Sequence, residues 1–177
     1  FSSEVKRGLL EFIDVEIRDS MGSTEGAMGG SVVSRALPPV DTAKFTFNPT
    51  TKVFNDRDEE VQPGSDEIGM IANGGVVPVG YFKDAEKSDK TFRSIAGVRY
   101  SFPGDFAQVA ADGTLILLGR GSVCINTGGE KVFPEEVEEA LKAHEDIWDA
   151  LVVGVADERF GERVVAVLSK KEGASVD

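Results

Sequence analysis

A chain of 177 residues, 41% of them hydrophobic, carries enough apolar material for one domain or two small ones. Its formal net charge of −12 argues against a nucleic-acid or anionic-membrane partner, because phosphates would be repelled, but a small phosphate ligand needs only a few local donors. The single cysteine, Cys124, excludes an internal disulfide framework and fits a reducing cytoplasm, and no apolar run approaches the roughly 20 residues of a membrane span.

Ser2 or Ser3 is predicted to cap an opening helix with Glu4 in its first turn, and Val5, Leu9, Leu10 and Ile13 fall on one helical face. Val15 and Ile17 alternate with charged residues and read as a short strand. The glycine-rich run Ser20 to Gly30 reads as a flexible loop at that strand's C-terminal end, where α/β sheets bind ligands. From Ser31 to Leu118 the pattern becomes β-rich. Val32-Val33, Phe45-Thr46-Phe47, Val53-Phe54 and Ile68-Gly69-Met70-Ile71 are separated by Pro38-Pro39, Asn48-Pro49 and Pro63-Gly64. A short helix capped at Asp84 runs towards Phe92. Asp112-Gly113, between Phe106–Val109 and Leu115–Leu118, is a hairpin signal.

Gly119-Arg120-Gly121-Ser122 reads as a flexible joint. After it come a strand, Val123 to Asn126, and the turn Thr127-Gly128-Gly129. A helix follows, with Pro134 at its first position and Glu135 and Glu136 in its first turn. Leu151–Val155 and Val164–Leu168 are two further strands. This β-turn-α-β-β module is small to bury a core alone. With no initiator methionine at Phe1 and a stop soon after the last strand, at Ser175-Val176-Asp177, the chain is expected to be a fragment.

Several motifs in order resemble the adenylate-forming superfamily of acyl-CoA synthetases, luciferases and adenylation domains. Met21-Gly22-Ser23-Thr24-Glu25 is similar to its Tyr-Gly-x-Thr-Glu motif. Glu67 to Tyr81 is similar to its Gly-Glu…Gly-Tyr stretch, with Asp66 and Ala85 standing where a Gly and a Pro are usual. Gly104-Asp105…Asp112-Gly113…Gly119-Arg120 and Gly128-Gly129-Glu130-Lys131-Val132-Phe133-Pro134 follow at family spacing. The stretch from Gly119 to Val132 is most similar to actinobacterial, mycobacterial-type fatty-acyl-CoA synthetases, some of which act on steroid side-chain acids. The resemblance implies a mixed α/β fold. Residues 1–30 would end an α/β subdomain, 31–119 form a β-rich subdomain, 120–122 a hinge, and 123–177 a truncated C-terminal domain.

It also implies chemistry. ATP and a carboxylate would give an acyl-adenylate and pyrophosphate, and CoA would then displace AMP. Glu25 would offer a hard oxygen to Mg²⁺, Thr24 a hydroxyl to phosphate, and Gly22 close backbone approach. Met21 stands where an aromatic ring usually meets adenine, and methionine sulfur can pack on a purine. From the bare segment a glycine turn with a solvated Glu25 is the simpler interpretation, and the family context reverses it. Asp105 would accept from both ribose hydroxyls. Arg120 would hold ribose or phosphate oxygens, and the Asp112-Gly113 hairpin would draw the two together. Ser122 replaces a usual hinge Asp or Lys. Gly128 and Gly129 match a loop lining the pantetheine tunnel, although a tight turn needs the same glycines. Cys124, His144, Trp148 and Phe160 are expected to be structural, and Glu135, Glu136, Glu138 and Glu139 to form a helix N-terminus and a solvated face.

The family's phosphate loop lies upstream of this chain. Its catalytic lysine lies beyond Asp177, so no catalytic residue is assigned here and the chain alone is expected to be inactive. The exposed first helix and strand are expected to favour a homodimer. Carrier-protein loading and a nucleotide-binding scaffold are the alternatives.

Overall fold

The computed structural model describes residues 3–37 and 44–174. Ser2, the side chains of Ser3 and Glu4, the Pro38-Pro39 turn and Ser175–Asp177 lie outside the described residues. The chain divides into two compact units, Phe1–Leu117 and Leu118–Asp177.

The first unit begins with α1 (Ser3–Phe12), β1 (Ile17–Ser23) and β2 (Gly26–Val33). Of the expected apolar stripe on α1, only Leu10 is buried, against Ile17 and Val33. Val5, Leu9 and Ile13 are exposed. Lys6, one turn before Leu10, is buried instead and forms an ion pair with Asp19 of β1. A buried ammonium needs such a partner, and β1 supplies it. Arg35 ends the helix, its guanidinium donating to the carbonyls of Leu10 (2.5 Å) and Glu11 (3.1 Å).

The glycine-rich run is not a loop. Residues 17–33 form an antiparallel hairpin, from Ile17 opposite Val33 to Ser23 opposite Gly26, with a register shift between Met21 and Gly22. Met21 and Met28 face inward from its two strands and supply the burial that a loop would lack.

Next come β3 (Lys44–Phe47), β4 (Thr51–Phe54), β5 (Gly69–Asn73), α2 (Ala85–Thr91), β6 (Phe92–Ile95), β7 (Val98–Ser101), β8 (Asp105–Val109) and β9 (Leu115–Arg120). All the pairings among them are antiparallel, in the order β1-β2-β3-β9-β8-β5-β7-β6, with β4 added on β5. Strand periodicity divides the core. Val53 and Ile71 join Met21, Met28, Val61, Ala107, Val109 and Leu115 in one cluster. Their neighbours Phe54 and Ala72 join Phe102 in another, where the Phe54 and Tyr100 rings meet edge to face at 5.1 Å.

The helix after Asp84 forms as its sequence predicts, with the Asp84 carboxylate accepting from the Lys87 amide at 3.0 Å. The β6–β7 hairpin is an addition. Its turn places Ala96 at φ 49° and Gly97 at φ 80°, a conformation usually signalled by Asn-Gly or Asp-Gly, so alanine hid it. Asp66, at the usual glycine position, adopts φ 58°. The Asp112-Gly113 turn forms as predicted. Asp112 accepts from the Thr114 amide (3.0 Å) and hydroxyl (2.6 Å) and from the Lys44 ammonium of β3 (2.9 Å).

The second unit contains a 3₁₀ turn (Gly121–Val123), β10 (Ile125–Thr127), β11 (Glu130–Val132), α3 (Pro134–Lys142), β12 (Ile147–Asp157) and β13 (Gly161–Lys170). The sheet order is β11-β10-β13-β12. The joint takes the form of this 3₁₀ turn, and the strand expected at Val123 starts at Ile125. Pro134 opens α3 as predicted. Ile147, Ala150 and Val152 of β12 are buried, and Glu138 is not part of a solvated face: its carboxylate accepts from the Val152 amide at 2.8 Å. Leu151, Val153, Val155 and Val167 are exposed, as is Trp148 at 73%, against its expected packing role. Among the described residues no helix is long and apolar enough to cross a membrane.

Two measurements test this architecture. Ile71→Ala, at a site with 0% exposure, is expected to cost about 2–5 kcal/mol in urea unfolding. The hydroxyl and amide of Thr114 and the ammonium of Lys44 hold the Asp112 carboxyl well below its usual range. The stability it supplies is therefore present above the ordinary carboxylate pKa and lost as pH falls through the depressed value. Asp112→Ala should lower the thermal midpoint at pH 7, and the difference from wild type should shrink on strong acidification.

Candidate functional site

The tip of the β1–β2 hairpin is a two-residue turn, Thr24-Glu25, between Ser23 and Gly26. Thr24 is exposed and Glu25 half-buried. The Glu25 amide donates to the Ser23 hydroxyl at 3.2 Å. One Glu25 carboxylate oxygen accepts a hydrogen bond from the Tyr81 hydroxyl. That bond is the largest cause of a Glu25 pKa below the ordinary carboxylate value. Ser23 and the positive charge of Lys87 act in the same direction, and partial burial opposes them. The same bond pushes the Tyr81 phenol up. Glu25 is thus an ionised carboxylate at neutral pH, held on one oxygen.

The turn is also tightly seated. A Cβ at Gly26 would stand 2.1 Å from the Asn73 amide nitrogen at the end of β5. Asn73 is buried and accepts from the Thr50 hydroxyl at 3.3 Å. Core strand β5 therefore ends against the residue next to Glu25.

Tyr81 is a member of the site that sequence reasoning placed only at the end of a motif. Its amide donates to the Ser88 hydroxyl at 2.8 Å, and that hydroxyl donates to the Asp84 carbonyl at 2.6 Å. The Phe92 ring lies 5.3 Å from its ring, and the Lys87 ammonium 4.4 Å. The Arg99 guanidinium holds the preceding loop through the carbonyls of Pro78 (3.1 Å) and Val79 (3.0 Å).

The other sequence-derived candidates are spread along the chain. Met21 is 9% exposed in the first unit's core, because strand alternation turns it inward with Ile17. It shares a cluster with Met28, Val53 and Ile71. Gly22 lies at the register shift of β1. Asp105, half-buried, opens β8 in the first unit, and Arg120, exposed, closes β9 in the second. Ser122 is exposed in the 3₁₀ turn.

Gly128 and Gly129 form the β10–β11 turn at φ 59° and 89°, a pairing that only glycine adopts freely. The Gly128 amide donates to the Phe160 carbonyl at 2.9 Å. Phe160 is 46% exposed, with the Arg159 guanidinium 5.0 Å from its ring. Burial pushes the half-buried Cys124 thiol up, the opposite of an activated nucleophile. The exposed His144 ring accepts from the Asp146 amide at 3.2 Å.

Among the described residues no three His, Cys, Asp or Glu side chains gather to cage a metal. A single ionised carboxylate suits Mg²⁺, which keeps waters and takes one or two carboxylates plus substrate phosphates. Filling the space at Gly26 tests the seating of this turn. Gly26→Ala should cost about 1–3 kcal/mol in urea unfolding, and Asn73→Ala in the same chain should recover part of that loss.

Residues 136–177 match the family described as AMP-binding enzyme C-terminal domain. Over 175 residues the chain is 50% identical to a medium/long-chain-fatty-acid–CoA/3-oxocholest-4-en-26-oate–CoA ligase of Mycolicibacterium smegmatis, covering 98% of this chain and 32% of that protein. It is 49% identical to a 3-oxocholest-4-en-26-oate–CoA ligase of Rhodococcus rhodochrous, covering 99% and 32%. The chain thus spans about a third of the length of the curated relatives it matches. Among solved structures, ATP-bound MatB from Rhodopseudomonas palustris matches with a TM-score of 0.75 at 29% identity, covering 91% of this chain and 32% of that one. The mixed α+β fold, mostly antiparallel sheet with few helices, is the fold of these neighbours. Along nearly its whole length the chain is thus similar to acyl-CoA ligases of the adenylate-forming, AMP-binding kind, and residues 136–177 match the C-terminal domain of AMP-binding enzymes.

Proposed function

We propose that this chain is part of an ATP-dependent acyl-CoA ligase acting on fatty acids or a related carboxylic acid in the cytoplasm. The observation that carries this reading is the identity of about half of its residues with fatty-acid and steroid-acid CoA ligases along nearly the whole chain. The substrate carboxylate attacks the α-phosphorus of ATP, giving an acyl-adenylate and releasing pyrophosphate. The CoA thiol, losing its proton, then attacks the acyl carbon and releases AMP. Both steps concentrate negative charge, so the protein's contribution is mainly placement and electrostatic stabilisation.

Glu25 would hold the Mg²⁺, which when bound would offset the charge of the ATP phosphates, and its carboxyl, kept below the ordinary pKa by the Tyr81 hydroxyl, supports that role. Thr24, exposed beside it, donates its hydroxyl to a phosphate, and Gly22 keeps the strand backbone open to the nucleotide. Asp105 accepts from the ribose hydroxyls and Arg120 donates to ribose or phosphate oxygens. The Gly128-Gly129 turn admits the pantetheine arm of CoA, and residues 120–122, with Ser122 in place of a charged hinge residue, let the C-terminal part reorient between the two steps. Met21, buried, shapes the hairpin behind the adenine rather than stacking on it.

The full-length protein carrying this chain is expected to form CoA esters from ATP, CoA and a medium- or long-chain fatty acid or a steroid side-chain acid. The 177-residue chain should form none, since losing even one preorganised charge donor typically costs ~10²–10³ in rate. Asp105→Ala in the full-length protein should weaken ATP binding about tenfold or more, the loss expected for a hydrogen bond to a charged group. Binding untouched by that change would favour a scaffold, and transfer to a carrier protein but not to CoA would favour a carrier-loading enzyme. Self-association of the isolated chain through its exposed apolar faces is expected in light scattering, and a clean monomer would remove that expectation.

A further inference from the structure

A carboxylate on a two-residue hairpin turn would ordinarily sample several rotamers, and a metal ligand that must be ordered on binding loses affinity to that ordering. Glu25 is different, because a side chain 56 residues away holds one of its oxygens. We propose that Tyr81 is the positioning residue for Glu25, fixing one carboxylate oxygen through its hydroxyl and leaving the other for the magnesium ion of bound nucleotide. This rests on the reading of Glu25 as the magnesium ligand.

Two features argue for a positioning role rather than simple packing. The phenol is itself immobilised: its backbone amide is tied to Ser88 (2.8 Å), its ring stands 5.3 Å from that of Phe92, and the Lys87 ammonium sits 4.4 Å over its face. Second, α2 and the hairpin are separate elements, and this hydrogen bond ties the hairpin tip to the segment that α2 holds. Ring packing alone would need only phenylalanine at this position. Among the described residues the hydroxyl's carboxylate partner is Glu25.

The test uses the full-length protein and Mn²⁺ as a spectroscopic substitute for Mg²⁺. Free Mn²⁺ is followed by electron paramagnetic resonance as the metal is titrated into the protein–ATP complex. Tyr81→Phe keeps the ring and is expected to weaken Mn²⁺ binding about tenfold, the loss expected for one hydrogen bond to a charged group. Affinity for metal-free ATP and the thermal midpoint should stay at wild-type values, and raised Mg²⁺ should restore turnover. Glu25→Gln should weaken Mn²⁺ binding at least as much, and the double variant should lose nothing further.

If Glu25→Gln weakens the metal and Tyr81→Phe does not, the positioning role is wrong and the ligase reading stands. If neither variant changes Mn²⁺ binding, Glu25 is not the ligand and both ideas fall. A Tyr81→Phe variant that loses metal-free ATP affinity and thermal stability in the same proportion as metal affinity would make Tyr81 a structural residue only.

Discussion

Strand β5 is buried on both faces at once, and the first unit is arranged around that requirement. Ile71 and Ala72, each with 0% exposure, are consecutive, so their side chains enter opposite clusters. One cluster needs the β1–β2 hairpin to supply Met21 and Met28, and the other needs Phe54 and Phe102. Backbone pairing with β4, β7 and β8 satisfies the polar groups that this burial takes from water. At its end, Asn73 abuts Gly26, so the most buried strand also seats the turn that carries Glu25.

The chemistry of that turn follows from what surrounds a single charge. Glu25 is neither deeply buried nor fully solvated. It gains from a phenol donor and a nearby ammonium more than it loses by partial desolvation, and stays ionised. The donors come from the segment ending in α2, whose Asp84 cap is local sequence logic, while the bond to Glu25 crosses 56 residues. A locally encoded helix thus fixes the orientation of a distant carboxylate.

The second unit applies a different economy of contacts. Its long β12–β13 ribbon buries Ile147, Ala150 and Val152 on one side, while Leu151, Val153, Val155 and Val167 stay exposed on the other. Its turns are fixed by hydrogen bonds instead: Gly128 to the Phe160 carbonyl, and the Asp157 carboxylate accepting from the amides of Arg159 (2.9 Å) and Phe160 (3.0 Å). Two turn tips are therefore held side by side by backbone and side-chain hydrogen bonds.

Locally encoded features were legible in the sequence. The Asp84 cap, the Pro134 helix start, the Asp112-Gly113 hairpin and the double-glycine turn depend on a few adjacent residues, and each appears at its expected place. The ordered motifs also revealed the family resemblance, because their residue types and spacing are carried by the chain itself. Other features needed the fold. Glycine richness suggested a loop at residues 20–30, but two inward methionines and a waiting sheet made it a hairpin. Helical periodicity placed Val5 and Leu9 inward, but a partner at Asp19 drew in Lys6. The β6–β7 turn was hidden because Ala96 adopts a left-handed conformation that sequence preference assigns to other residues. The sequence by itself determined the Asp112-Gly113 and double-glycine turns, the Asp84 cap, the Pro134 helix start and the family resemblance. Only tertiary structure decided which face of α1 is buried and which side chain holds Glu25, because those outcomes depend on partners that are distant along the chain and meet only once the sheet has formed.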